Sequence, residues 1–180
     1  GDAVTLGNAT SGTFDDKTVA SSKSVTTAMT ILGDSSTNYT LTQPTLTGEI
    51  TAKELTVSGI TASSKVYDET TTATLNTGSA AFGEIISGDT VSIILTGVAG
   101  TFSDQYIGSG KTVTISGVSK DGADAANYSI TQPTTTADIT AGALHHFNVV
   151  VPTSPVVGVS TNITITAVDQ YNNTISATNG

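Results

Sequence analysis

The chain has 180 residues and a formal net charge of −9, with 15 acidic side chains against six scattered lysines and no arginine. A surface that tracks phosphates needs clustered positive charge, so the composition argues against nucleic-acid binding. The absence of cysteine removes disulfides, thiolate nucleophiles and cysteine-metal sites together. Hydrophobic residues reach 37% and charged residues 12%, enough apolar content for a core. Aromatics are only 5% with no tryptophan, so that core is aliphatic. No apolar run is long enough to span a membrane, and no secretory signal opens the segment.

Read from the start, the chain repeats itself. Gly1-Asp2 with Val4 and Leu6 returns as Gly88-Asp89 with Val91 and Ile93, and Gly12-Thr13-Phe14 returns as Gly100-Thr101-Phe102. Lys23-Ser24-Val25 returns as Lys111-Thr112-Val113. Asn38-Tyr39-Thr40-Leu41-Thr42-Gln43-Pro44 returns as Asn127-Tyr128-Ser129-Ile130-Thr131-Gln132-Pro133, and Glu49-Ile50-Thr51-Ala52 as Asp138-Ile139-Thr140-Ala141. The copies lie 87 to 89 residues apart, which marks tandem domains. The match stops after Ala141, where a different kind of sequence begins. The expected division is therefore the back half of one repeat over 1–52, a whole repeat over 53–141, and the opening of another domain over 142–180.

The local pattern predicts strand after strand. Val91, Ile93 and Leu95 alternate with Thr90, Ser92 and, less cleanly, Ile94; Val113 and Ile115 alternate with Thr112, Thr114 and Ser116, and Ile163, Ile165 and Ala167 with Asn162, Thr164 and Thr166. Period-two alternation with Thr or Ser outward describes antiparallel sheets with one wet side. Thr, about a fifth of the chain, suits such surfaces because branching at Cβ favours the pleat. Gly-Asp, Ser-Gly and Asp-Gly pairs supply turns. Only Asp121–Asn127, rich in alanine, has the makings of a helical turn. The predicted fold class is all-β: small antiparallel domains in tandem, Ig-like sandwich or β-grasp-like, forming an elongated array.

Several landmarks together carry a family resemblance. Lys65-Val66-Tyr67-Asp68-Glu69-Thr70-Thr71, Gly88-Asp89-Thr90-Val91, Gly100-Thr101-Phe102, Gly122-Ala123-Asp124-Ala125-Ala126-Asn127-Tyr128 and Ile139-Thr140-Ala141 occur in order. They resemble the YDG repeat, which is found in tandem in large bacterial surface proteins similar to filamentous-haemagglutinin-type adhesins. Glu69 stands where that family has its naming glycine; a positive-φ turn there would be strained by a side chain. The tail, from Phe147-Asn148-Val149-Val150-Val151-Pro152 through Ile163–Asp169 to Gln170–Thr174, resembles the opening of a bacterial Ig-like domain. The resemblance implies secretion to the bacterial cell surface.

Candidate chemistry is sparse. His145 and His146 are the only histidines, and neighbours on a strand face opposite ways, which argues against a shared metal. Asp15 and Asp16 split across faces for the same reason, so no paired-carboxylate site is expected. No strand-turn-helix nucleophile elbow accompanies either histidine. The expectation is that the chain is not an enzyme and that it has no catalytic residues. Two oxygen-rich groups could take calcium: Asp121, Asp124 and Asn127, or Asp169, Asn172 and Asn173. Turn and capping chemistry accounts for the same residues without an ion. Tyr67 and Tyr128 are expected to bury their rings and tie their hydroxyls to backbone, with Asp68 fixing a turn. Lys23 and Lys111 recur at equivalent places, either as exposed strand lysines that discourage edge pairing or as partners in a Lys–Asn or Lys–Asp cross-link.

These features point to a stalk or adhesion segment that extends and presents a binding region elsewhere. Its partners would be neighbouring repeats, other copies in a fibre and an unidentified surface ligand. The alternatives are a filament subunit completed by strand donation between chains, and a glycan-binding accessory module of an exported enzyme.

Overall fold

The computed structural model describes residues 1–153 and 157–176. The fold is all-β among these residues, as expected, with two single 3₁₀ turns at Ser36–Asn38 and Ala125–Asn127. Up to Leu55 the strands are β1 (Thr5–Gly7), β2 (Gly12–Phe14), β3 (Ala20–Thr27), β4 (Thr30–Leu32), β5 (Leu46–Ile50) and β6 (Lys53–Leu55). Next come six short ones, β7 (Val57–Ser58), β8 (Thr61–Ala62), β9 (Lys65–Val66), β10 (Thr72–Ala73), β11 (Leu75–Asn76) and β12 (Ala81–Phe82). Then follow β13 (Ser92–Ile94), β14 (Ala99–Phe102), β15 (Gly108–Ser116), β16 (Ser119–Asp121), β17 (Tyr128–Ile130) and β18 (Thr134–Thr140). The tail adds β19 (His146–Val150) and β20 (Thr164–Val168).

The chain packs as two compact units. The first holds Gly1–Leu55 together with Ile86–Val91 and Asp121–Ser129. Its centre is an antiparallel sheet ordered β2-β3-β5, beside a β1–β4 ribbon. The second unit holds Thr56–Ile85, Ser92–Lys120 and the described residues from Ile130 onward. Its main sheet runs β10-β14-β15-β18-β9, antiparallel except for the parallel β18–β9 pair.

The core of the second unit follows from the alternation along β15. Val113 and Ile115 point inward and are fully buried, while Thr112, Thr114 and Ser116 face out. Val113 packs with Ala73, Phe102, Ala137 and Ile139; Ile115 packs with Ile60 and Val118. Leu75 touches both groups and joins them. The buried members of both clusters are aliphatic apart from Phe102, with the half-buried rings of Tyr67 and Phe82 packed against them.

The two copies of the repeat share local geometry down to single hydrogen bonds. The β3–β5 register slips between Ala20 and Lys23, and the β15–β18 register slips between Gly108 and Lys111, the same place in each copy. This β-bulge turns the lysine back toward an aspartate: Lys23 Nζ lies 2.6 Å from Asp16 and Lys111 Nζ lies 2.5 Å from Asp104. The side-chain amide of Gln43 pairs with both backbone groups of Met29, and that of Gln132 with both of Val118. Gly33 and Gly122 take φ of +112° and +122°, and a Cβ on either would sit 2.3 Å from a carbonyl oxygen, of Ala3 and Thr90 respectively. Only glycine fits there.

Candidate functional site

Two groups of side chains stand out, one in each packing unit. In the first unit, Lys17 from the β2–β3 connection reaches two carboxylates that lie some seventy residues or more downstream. Its ammonium contacts Asp89 Oδ1 and lies 2.8 Å from Asp124 Oδ1. The second oxygen of Asp89 accepts the Tyr128 hydroxyl at 2.7 Å, and that hydroxyl accepts the Ile86 N–H at 3.0 Å. The second oxygen of Asp124 accepts the Thr90 N–H at 2.9 Å. Asn127 Oδ1 accepts the Val19 N–H at 3.0 Å. A cavity of about 220 Å³ lies here, lined by Val19, Ile50, Ile86 and Tyr128 beside the charges.

The electrostatics follow from these contacts. Lys17, bonded to Asp124 and then to Asp89, is held protonated far above its ordinary range. The same lysine draws Asp89 and Asp124 below theirs, helped by the Tyr128 hydroxyl and the Thr90 N–H respectively. Burial raises the Tyr128 phenol, and the Asp89 carboxylate adds to it. Three charges and a phenol thus form one closed network, a tie between segments far apart in sequence.

The second group joins the tail to the whole repeat. Asp169, at the end of β20, is 1% exposed. Its Oδ1 accepts the N–H groups of Tyr171 and Asn173, each at 2.9 Å. Its Oδ2 accepts the Gly142 N–H at 2.9 Å and the Asn173 side-chain amide at 3.1 Å. Burial pushes this carboxyl up, but the donors outweigh it and leave it at about 2. The Tyr67 ring meets the Tyr171 ring edge to face at 5.1 Å. A cleft of about 300 Å³ runs between Val66, Tyr67, Leu144, His145 and Tyr171.

Beside it the Lys65–Thr70 segment is knotted on one carboxylate. Asp68 Oδ1 accepts Lys65 Nζ at 2.7 Å, the Thr70 hydroxyl at 2.8 Å and the Thr70 N–H at 3.0 Å. Lys65 and then Thr70 lower the carboxyl to about 2. Lys65 Nζ also lies 5.5 Å from the centre of the Phe102 ring. Asp68 fixes a turn, as expected, and Glu69 at its tip adopts φ +63°. The position of the missing glycine is a left-handed one, and glutamate occupies it.

The calcium candidates have other employment. Asp124 and Asn127 come together, but with Lys17 and the Val19 N–H, while Asp121 ends β16. Asp169 and Asn173 come together with N–H donors on every contact given above, and Asn172 sits at φ +65° in the turn. Among the described residues no group of three or more His, Asp or Glu side chains is disposed to hold a metal. Tyr128 ties its hydroxyl to backbone as expected, at Ile86, whereas Tyr67 packs on another aromatic ring.

Three expectations are corrected. His145 precedes the strand that His146 opens, so strand alternation does not separate them; their Nδ1 atoms are 3.0 Å apart. Asp15 and Asp16 follow β2 in a bend and converge on Lys23, at 3.2 and 2.6 Å. Lys23 is not an exposed edge lysine: its side chain is 5% exposed, because the bulge folds it over the sheet onto those carboxylates.

The YDG domain matches residues 1–47 and 51–137. The chain belongs to the YDG domain family. No curated protein and no solved structure shows a significant match. The two matched stretches carry the paired landmarks: Asp2 with Tyr39, Asp89 with Tyr128, Lys23 with Asp16, Lys111 with Asp104. Sequence reasoning missed Lys17 and Asp89 as a site. A signal was present, since Gly-Asp and Asn-Tyr recur together in both YDG copies, with Asp and Tyr 37 residues apart in one and 39 in the other.

Proposed function

We propose that this chain is a structural spacer segment of a large secreted bacterial surface protein of the adhesin class, extending and presenting a binding region that lies elsewhere. The tie of Lys17 to Asp89 and Asp124 carries the reading. It links a side chain of the first YDG copy to two carboxylates of the second, as a module joint must if it is to resist bending and pulling. Asp68, Asp169, Asn173, Lys23 and Lys111 likewise bind neighbouring side chains or backbone groups, which suits a mechanical part. The excess of negative charge favours solubility and keeps neighbouring copies apart. Tandem small β domains also resist force through interstrand hydrogen bonds and nearest-neighbour contacts.

The tail is proposed to open an Ig-like domain. In the β19–β20 hairpin Phe147 pairs with Ala167 and Val149 with Ile165, a directly opposed apolar set on one side. Phe147, Val149 and Ile165 are each more than half exposed, the arrangement of a strand pair that a second sheet covers in a sandwich.

Single-molecule pulling between terminal handles tests the spacer reading. The expected trace is a chain that holds its length until discrete unfolding steps occur. Continuous lengthening at low force, without steps, overturns it.

A further inference from the structure

The first repeat copy carries a second, exposed version of the receptor that holds Lys17. In the filled receptor, Tyr128 donates to Asp89, the Ala125–Asn127 turn precedes it, and Tyr128 has φ −127° and ψ 153°. In the other, the Tyr39 hydroxyl donates to Asp2 Oδ2 at 2.9 Å, the Ser36–Asn38 turn precedes it, and Tyr39 has φ −125° and ψ 152°. The glycines behind them, Gly122 and Gly33, both take a positive φ and both lie close to a carbonyl at the equivalent position, that of Thr90 and that of Ala3. The backbone is superposable in its dihedrals and the buttressing pair is already made.

What differs is exposure. Tyr128 is 3% exposed, and Tyr39 is 51% exposed. Asn127 is half-buried and accepts the Val19 N–H, while Asn38 is exposed. The exposed site offers a carboxylate at Asp2, an amide at Asn38 and a ring face at Tyr39, all preorganised. Among the groups that meet Lys17 the change is at Asp124, where this copy has Ser35, so a lysine would meet one carboxylate and a hydroxyl; the turn also has Ser36 and Thr37 for Ala125 and Ala126.

We infer that the Asp2–Asn38–Tyr39 surface is a docking site for the lysine-bearing β2–β3 turn of another YDG repeat, of the type Asp16-Lys17-Thr18-Val19. This rests on the spacer reading and names the partner of its joint. The occupant is set by the occupied copy: a lysine ammonium for Asp2, and the N–H two residues on for Asn38.

The test places one further period, residues 1–87, ahead of Gly1 of the intact chain, so that the added Lys17 stands before Asp2 as the original stands before Asp89. Tyrosine nitration mapped by peptide mass reads the result. In the parent chain Tyr39 reacts readily and Tyr128 slowly. In the extended chain the copy of Tyr39 next to the insertion becomes at least tenfold slower, approaching Tyr128, and Lys17→Gln in the added copy returns part of that reactivity. Unchanged Tyr39 reactivity in the folded extended chain overturns the inference. If the extended chain does not fold, a trans titration decides. Unlabelled chain carrying Asp89→Asn and Asp124→Asn, whose Lys17 turn is released, is added to ¹⁵N-labelled parent chain. Shifts at Asp2, Asn38 and Tyr39 support docking, and their absence overturns it. Pulling reports on the spacer reading and Tyr39 accessibility on the receptor, so either can fail alone.

Discussion

Tyr67 of the whole repeat and Tyr171 of the tail meet edge to face, their planes 78° apart. This contact and the Asp169 knot hold the tail against the repeat: the Asp169 oxygens accept the Gly142 N–H from before β19 together with the Tyr171 and Asn173 N–H groups of the turn after β20. A buried carboxylate that loses its donors, or donors that lose their carboxylate, leave unpaired polar groups inside. Asp169→Ala is therefore expected to loosen β19–β20 while β14–β15 stay intact. Amide exchange checks it: the tail strands exchange severalfold faster and the Val113 and Ile115 amides are unchanged. Tyr171→Ala acts in the same direction but less, since it removes packing without orphaning a donor.

Glu69 makes a second, opposite prediction. An L-residue in the left-handed region costs about 1–2 kcal/mol, a strain glycine does not carry. Glycine returns about 0.4–1 kcal/mol of that through the freer unfolded chain. Glu69→Gly is thus expected to stabilise by about 0.5–1 kcal/mol, and Glu69→Val, β-branched at the same φ, to destabilise. Denaturant midpoints at constant slope decide the sign.

Much of this architecture was legible beforehand, and the reasons are local. Period-two alternation in β15 identifies Val113 and Ile115 as inward because the period of a strand leaves no other choice. The repeat was legible because Gly-Asp, Gly-Thr-Phe, Lys and Asn-Tyr serve fixed backbone needs in each copy. The sites were harder. Lys17 has no counterpart lysine, since Gln105 holds the equivalent position, so repetition did not flag it. Lys23 looked like an exposed strand lysine because a bulge is a register event between strands, invisible to a pattern along one strand. Alternation does not separate the two histidines, because the strand begins only at His146.

The two copies differ in how much they bury, which gives a prediction about the core. Ile115 is fully buried between Ile60 and Val118, and the equivalent position in the first copy is Thr27. Ile115→Ala is expected to cost about 2–5 kcal/mol and Ile115→Val about 0.5–1.5 kcal/mol. Val25, half-buried where Val113 is fully buried, tolerates alanine better than Val113 does. Chemical denaturation of the four variants checks the ranking.

The Lys17 network predicts a compensation. Lys17→Gln installs the residue of the second copy and leaves the Asp89 and Asp124 carboxylates facing the same space without their cation. The side chain of Asp89 is only 7% exposed, so this repulsion is poorly screened. The variant is expected to destabilise the first packing unit, and adding Asp124→Asn to recover part of the loss. A double-mutant cycle measures the coupling; strictly additive effects would mean the three groups do not act together.

The carboxylates also set the acid limit of the fold. Asp68 and Asp169 titrate at about 2 in the folded chain against an ordinary value of 3.8, and Asp16, Asp89, Asp104 and Asp124 are lowered as well. A carboxyl lowered by folding binds its proton more readily when the chain is unfolded, so falling pH favours the unfolded state. Their contribution is complete above the unfolded value and drains away between pH 3.8 and about 2. At the other end Lys17 and Lys23 are raised from 10.5, and Tyr67 and Tyr128 from 10.0, so stability falls again as pH climbs past those values. The melting temperature is expected to be flat from about pH 5 to pH 9, the region between these two sets of titrations. Asp68→Asn and Asp169→Asn should each lower the plateau yet flatten the acid limb, because the titrating group that generates it is gone. An acid limb of unchanged steepness in both variants would place the acid sensitivity on other carboxylates.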